Sequence, residues 1–280
     1  MKEILVAVLA TTFLFAPALE ASDRQMAKPE QQAVKADLPT GRDYSNNLGM
    51  LFKLIPAGTF VMGSPSNEPG RDSDESQHQV TLSRSFYMQT TEVTQGQWQK
   101  VMGSNKSSFS ECGLDCPVER VSWEEVQDFI AKLNQLSGLK YRLPTEAEFE
   151  YAARAGTTGA LSNGELTEIW CEEDEKMNEV GWYCGNAKDK THSVGLKKAN
   201  AWGLYDMHGN LWEWCQDSWD GADYSTEPVI DPLSAKSTDG RVIRGGSWHD
   251  YAWHTRSANR DWCVFHYRNE FVGFRLVLSP

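Results

Sequence analysis

Tyr141-Arg142-Leu143-Pro144-Thr145-Glu146-Ala147-Glu148-Phe149-Glu150-Tyr151-Ala152-Ala153-Arg154 is the stretch on which the fold turns. Thr145 and Glu148 form a capping box directly after Pro144, and the helix they open has to end before Gly156. Two more boxes precede it. Thr94 with Gln97 starts a short helix that ends near Gly103, and Ser122 with Glu125 starts another that stops by Gly138. In the latter, Val126, Phe129, Ile130 and Leu133 fall at i, i+3, i+4 and i+7, one helical face. All three helices read as scaffold. Short strands are predicted at 51–55, 58–62, 79–82, 86–89, 241–245 and 273–278, with almost no helical period between Gly156 and Arg241. Such a long irregular stretch needs disulfides, ions or aromatic packing to fix it.

The chain has 280 residues, with eleven Trp, nine Tyr and eleven Phe to fill a core, and 22 Gly and 11 Pro to make many turns. Its net charge of −12 argues against nucleic acid, which calls for a basic footprint. Residues 1–21 read as a secretory signal: Lys2, an apolar run from Ile4 to Ala16, and small residues at Ala16, Ala18 and Ala21. The chain is therefore expected to be exported, to the periplasm, the cell surface or the medium, and to carry no transmembrane segment once the signal is removed; an uncleaved anchor is the alternative. Residues 22–47 read as a flexible linker. Residues 48–280 read as one domain. Six Cys fit an oxidising compartment. Cys112 and Cys116 flank a short loop, Cys171 and Cys184 bracket an acidic one, and each pair can close a disulfide. Cys215 reads as a buried thiol, and Cys263 has no evident partner. No paired C-x2-C spacing supports zinc.

Further ordered motifs extend the pattern: Phe60-Val61-Met62-Gly63-Ser64, Glu92-Val93-Thr94, Val121-Ser122-Trp123, Trp202-Gly203-Leu204-Tyr205-Asp206-Met207, Trp212-Glu213-Trp214, Arg244-Gly245-Gly246-Ser247-Trp248 and Gly273-Phe274-Arg275-Leu276. In order, spacing and wording, residues 48–280 resemble the formylglycine-generating (sulfatase-modifying factor) enzyme family. The resemblance implies an α+β, loop-rich domain related to the C-type lectin fold, with little regular secondary structure. It also implies a structural calcium ion held by side-chain oxygens of Asp206 and Glu213 and by the carbonyls of Gly209 and Leu211, hard ligands that suit calcium.

Active members of that family oxidise a sulfatase cysteine with copper(I) and oxygen, and two thiolates hold the soft metal. The resemblance puts those thiolates three and eight residues beyond the Gly-Gly-Ser serine, here Ser247, where this chain has Asp250 and Thr255. Neither supplies sulfur, so copper is not expected and the catalytic set is empty. His249, His254 and His266 lack a tight ligand spacing and read as surface histidines. No nucleophilic triad or phosphate loop is evident.

Between Ser247 and Phe274 the sequence alternates between a family-like frame and an aromatic, polar filling with no strand or helix period. Amphipathic aromatics on a rigid scaffold are typical of binding sites. The predicted ligand contacts within the segment 248–271 are His249, Asp250, Tyr251, Trp253, His254, Asp261, Trp262, Phe265, His266 and Tyr267. The segment also resembles the variable proteins of diversity-generating retroelements. His, Asp, Tyr, Cys, Val and Phe are reachable from an Asn codon by adenine replacement and Trp from an Arg codon; Glu270 does not fit. Three functions follow: an exported binder of a protein or glycan; a formylglycine-generating or related metal-dependent oxidase with an atypical site; or a cell-envelope structural adaptor.

Overall fold

The computed structural model describes residues 41–279, except 220, 222, 223 and 225. The expected signal and most of the expected linker lie outside the described residues. Ordered chain starts earlier than the expected boundary at 48. Asp43–Ser45 forms β1, antiparallel to β2 (Leu51–Ile55), and Tyr44 packs on Phe52 and Tyr87. Polarity hid this strand: its inward residue is Tyr44 alone, with Asp43 and Ser45 facing water.

A five-stranded sheet runs β1-β2-β5-β12-β6, with β5 at Phe86–Gln89, β6 at Tyr141–Arg142 and β12 at Val277–Leu278. A three-stranded sheet joins β3 (Gly58–Met62), β4 (His78–Leu82) and β8 (Val229–Ile230). A four-stranded sheet runs β10-β9-β7-β11, with β7 at Trp212–Trp219, β9 at Gly240–Arg244, β10 at Asp261–Val264 and β11 at Val272–Gly273.

All three capping boxes form as read. Thr94, Ser122 and Thr145 accept the N3 amides of α1 (Gln95–Met102), α2 (Trp123–Ser137) and α3 (Glu146–Arg154), while Gln97, Glu125 and Glu148 return the bond to the cap amides. Each box satisfies donors that the first helical turn cannot. The apolar face of α2 packs into the main core, where Trp98 of α1 stacks on Phe129 at 5.2 Å and Phe274 meets both rings edge-on.

Three expectations change. The stretch 156–241 contains a short helix, α4 (Glu175–Val180), and the eight-residue β7. Trp212, Glu213, Trp214 and Cys215 are all buried, so the central strand of its sheet shows no polar alternation. The filling is not wholly irregular, because Asp261–Val264 pairs with β9 as β10. The expected strand 273–278 is split into β11 and β12; Arg275 between them turns inward to Glu213. Both expected disulfides are present, Cys112–Cys116 and Cys171–Cys184, and Cys215 is a buried free thiol whose ionisation burial suppresses.

Candidate functional site

Three buried arginines hold the terminal segment. Arg244 pairs with Glu150 at 2.5 Å and donates to the carbonyls of Ser257, Ala258 and Asn259. Arg256 pairs with Glu68 at 2.7 Å and with both oxygens of Glu75 at 2.6 and 2.8 Å, and it reaches the Gly70 carbonyl. Arg275 grips both oxygens of Glu213 at 2.6 and 2.7 Å. Arg256 and Arg275 are paired bidentately, and Arg244 through one carboxylate oxygen and three carbonyls, so each buried charge is compensated. They fix 244–248, 255–259 and 272–278, all buried.

The filling alternates with this frame. None of the ten predicted contacts is fully buried. Tyr251, Trp262 and Tyr267 are 43%, 46% and 55% exposed. His249 lies over Phe271 and beside Trp248. His254 stacks on Trp253 at 3.5 Å, with its Nδ1 4.0 Å from Asp250. Burial lowers the His254 pKa, against the pull of Asp250 and Asp72. Asp250 accepts from the Trp212 indole at 2.8 Å and from the Ser247 hydroxyl. Trp253 lies against Gly70, where a Cβ would come within 2.4 Å of the Trp253 Cβ and φ is +75°. Trp262 covers Gly240, and Phe265 meets His266 edge-on. Burial raises the Asp261 pKa, and the carboxylates of Asp250, Asp74 and Asp72 add to the shift.

Sequence reasoning missed a contributor from another part of the chain. The backbone of 250–253 is zipped to the loop around the second disulfide: Cys184 N–H donates to Asp250 O, Ala252 N–H to Trp170 O and Trp253 N–H to Ile169 O, at 3.0–3.1 Å. Trp170 is 52% exposed and meets Tyr251 edge-on at 5.1 Å. The acidic run Glu172-Glu173-Asp174-Glu175 inside the Cys171–Cys184 bracket was the available signal.

Asp250 and Thr255 do not converge on an open site. Thr255 is buried, and its hydroxyl donates to the Ala252 carbonyl at 2.7 Å. Neither residue offers the sulfur that copper(I) requires.

The residues implied for calcium separate into two kinds. Glu213 is committed to Arg275 through both oxygens. Asp206 Oδ2 accepts from Gly195 N–H at 2.7 Å, but its Oδ1 is buried without a partner, as is Oε2 of Glu92, whose other oxygen accepts from Asn210. Burial, then Asp206 and Glu213, push the Glu92 pKa well up, and burial raises Asp206. A proton or a hard cation relieves such a pair. The partnerless oxygens therefore fit a hard cation between Asp206 and Glu92, with Glu213 held close by through Arg275. Among the described residues no three His, Cys, Asp or Glu side chains are grouped to hold a metal. Gly209 positions the loop with φ +102°, and a Cβ there would lie 2.1 Å from the Trp182 carbonyl. Leu211 is buried beside Ala187 and Trp248.

The profile of the sulfatase-modifying factor enzyme 1-like domain matches residues 41–280. The chain is 32% identical over 219 residues to the chaperone protein LppX of Paenibacillus barcinonensis, an alignment that covers 63% of this chain and 73% of that protein. It is 34% identical over 149 residues to a formylglycine-generating enzyme of Streptomyces coelicolor, covering 48% of this chain and 43% of that enzyme, so the match spans less than half of the relative. Among solved structures, Treponema denticola variable protein 1 superposes with a TM-score of 0.76 at 30% identity, covering 86% of this chain and all of that one.

Proposed function

We propose that this chain, which belongs to the sulfatase-modifying factor (formylglycine-generating enzyme) family, is an exported ligand-binding member that carries its ligand on the face built by residues 248–271. One observation carries the reading: every predicted contact keeps surface, while the segments 244–248, 255–259 and 272–278 that flank them are buried around Arg–Glu pairs. A rigid frame that presents large amphipathic rings lowers the entropy cost of binding. The likeness to a variable protein over most of the chain supports the same reading. Export is supported by the two disulfides, which persist in oxidising compartments. The ligand is a protein or a glycan.

The test is binding of labelled full chain to arrayed glycans and bacterial surface proteins, with Trp253→Ala, Trp262→Ala and Tyr267→Ala variants. Signals that the substitutions abolish with only a small fall in melting temperature support the face. Absence of any signal, or signals the variants retain, overturns it. Copper(I)-loaded protein incubated with a cysteine-containing sulfatase peptide is expected to yield no aldehyde; aldehyde would restore the oxidase alternative. Calcium belongs to the proposal as a structural ion at Asp206 and Glu92. Adding calcium to chelator-treated protein should raise the melting temperature and lose that effect in Glu92→Gln, whereas an unchanged melting temperature removes the ion.

A further inference from the structure

We infer that the occupant of this face is a cationic protein surface, met by the exposed rings of Trp170 and Tyr251 together with the disulfide-bracketed acidic loop beside them. The inference rests on the ligand-face reading and adds the chemistry of the ligand.

The loop is as strongly positioned as the frame. Asp174 is buried; it accepts from the amides of Thr167, Glu168 and Met177 and from the Thr167 hydroxyl, at 2.8–3.1 Å. The Tyr183 hydroxyl accepts from Asp174 N–H and donates to Glu172 O. With the Cys171–Cys184 bond and the three backbone bonds to 250–253, these contacts turn Asp174 inward and leave Glu172, Glu173 and Glu175 exposed. Residues 164–179 hold seven acidic residues and one basic one, Lys176. Glu168, Glu172, Glu173 and Glu175 make no ion pair among the described residues.

The far side of the same face has the same sign. Asp72, Asp74, Asp250 and Asp261 are close enough that three of them act on the fourth. Two of the nearby cations are already engaged, Arg256 between Glu68 and Glu75 and Arg260 with Glu146 and Asp74; Arg71, which donates only to the neutral Ser64 carbonyl, and Lys176 keep their charge but are outnumbered by the carboxylates. The exposed carboxylates of Glu172, Glu173 and Glu175 beside the open ring of Trp170 complement Lys and Arg, which gain from both the charge and the ring faces. A neutral glycan would stack on the rings and could donate hydroxyls to single carboxylates, but it would gain nothing from their accumulated charge.

The experiment titrates the full chain with capped hexalysine, hexaglutamate and maltohexaose. Hexalysine should bind and the other two should not. Glu172→Gln/Glu173→Gln/Glu175→Gln should weaken hexalysine about tenfold, the size expected of three exposed charge pairs. Trp170→Ala/Tyr251→Ala should weaken it by a similar factor. Glu111→Gln/Asp115→Asn/Asp128→Asn removes three exposed charges elsewhere and should stay within about twofold. Equal losses in the two charge triples would reduce the effect to net charge and overturn the inference. Binding of maltohexaose without hexalysine would also overturn it while leaving the ligand face standing. Failure of the ligand face itself shows separately, as array signals indifferent to Trp253, Trp262 and Tyr267.

Discussion

Residues 255–259 and 261–267 are neighbours in sequence and opposite in physics. The first stretch, Thr255-Arg256-Ser257-Ala258-Asn259, is buried, and its side chains and carbonyls are claimed by Glu68, Glu75 and Arg244. The second has its peptide groups in β10 and the turn after it, while Trp262, His266 and Tyr267 face solvent. In the first, the side chains determine the backbone. In the second, the backbone is held from below by β9 and by Trp123 N–H and Arg120 N–H, which donate to the carbonyls of Phe265 and Asn269, so the side chains are free to vary. A surface can change its ligand without changing its fold only where these two roles are separated.

The comparison breaks most visibly at Arg256. Arg256→Ala leaves Glu68 and Glu75 buried without their cation, a loss of about 3–5 kcal/mol for an interrupted buried pair. Urea denaturation should show a midpoint shift of that size. A shift no larger than that of Trp262→Ala would mean that frame and filling are not distinct.

Acid should loosen the frame next. His208 is buried, accepts the Ser162 amide at Nε2 and therefore donates from Nδ1 to the Thr255 carbonyl. Burial, then the charges of Arg154 and Arg275, lower its pKa to about 4, while its bond to Thr255 opposes the shift. Because the folded pKa lies below the ordinary 6.5, the unfolded chain binds the proton first. The stabilisation is complete above pH 6.5 and is lost as the pH falls towards 4, about 3 kcal/mol in all. Glu92, Asp206 and Glu213, with raised pKa values, oppose the trend, so the measurement is the difference in acid slope between the native chain and His208→Gln. Equal slopes would remove His208 from the frame.

Much of this was legible beforehand. Capping boxes are local chemistry, so all three helices formed where Thr94, Ser122 and Thr145 place them. The frame and filling could be separated because the buried Arg and Gly positions repeat family wording. What could not be read was long-range. β7 carries polar Glu213 inward because Arg275 awaits it 62 positions later, and no local period records that. Trp170 reaches Tyr251 only through a loop that the Cys171–Cys184 bond folds back. Glu92 read as part of a motif beside a helix start; its partnerless oxygen becomes visible only once Asp206 is folded against it.

At the boundary between the two regions lies Gly70, with φ +75° and the Trp253 Cβ where its own Cβ would go. Gly70→Ala combines an unfavourable backbone conformation with a clash that only movement of Trp253 can relieve, a cost of about 1–3 kcal/mol. Since Trp253 carries the stacked His254, the substitution should alter binding at the face as well as stability, although Gly70 is not among the predicted contacts.

The smallest effect sharpens the comparison most. Trp262 and Tyr267 leave about half of their surface in water, so Trp262→Ala and Tyr267→Ala should each cost less than about 1.5 kcal/mol by chemical denaturation, well below the 3–5 kcal/mol of a truncated core aromatic. Trp262 is the stricter case, because its ring also covers Gly240 in β9. If Trp262→Ala matches Arg256→Ala in stability, the ring is part of the fold and its exposure is incidental. A small stability change with a large loss of array binding would instead put the energy of Trp262 into recognition, the division of labour that the buried arginines beneath it make possible.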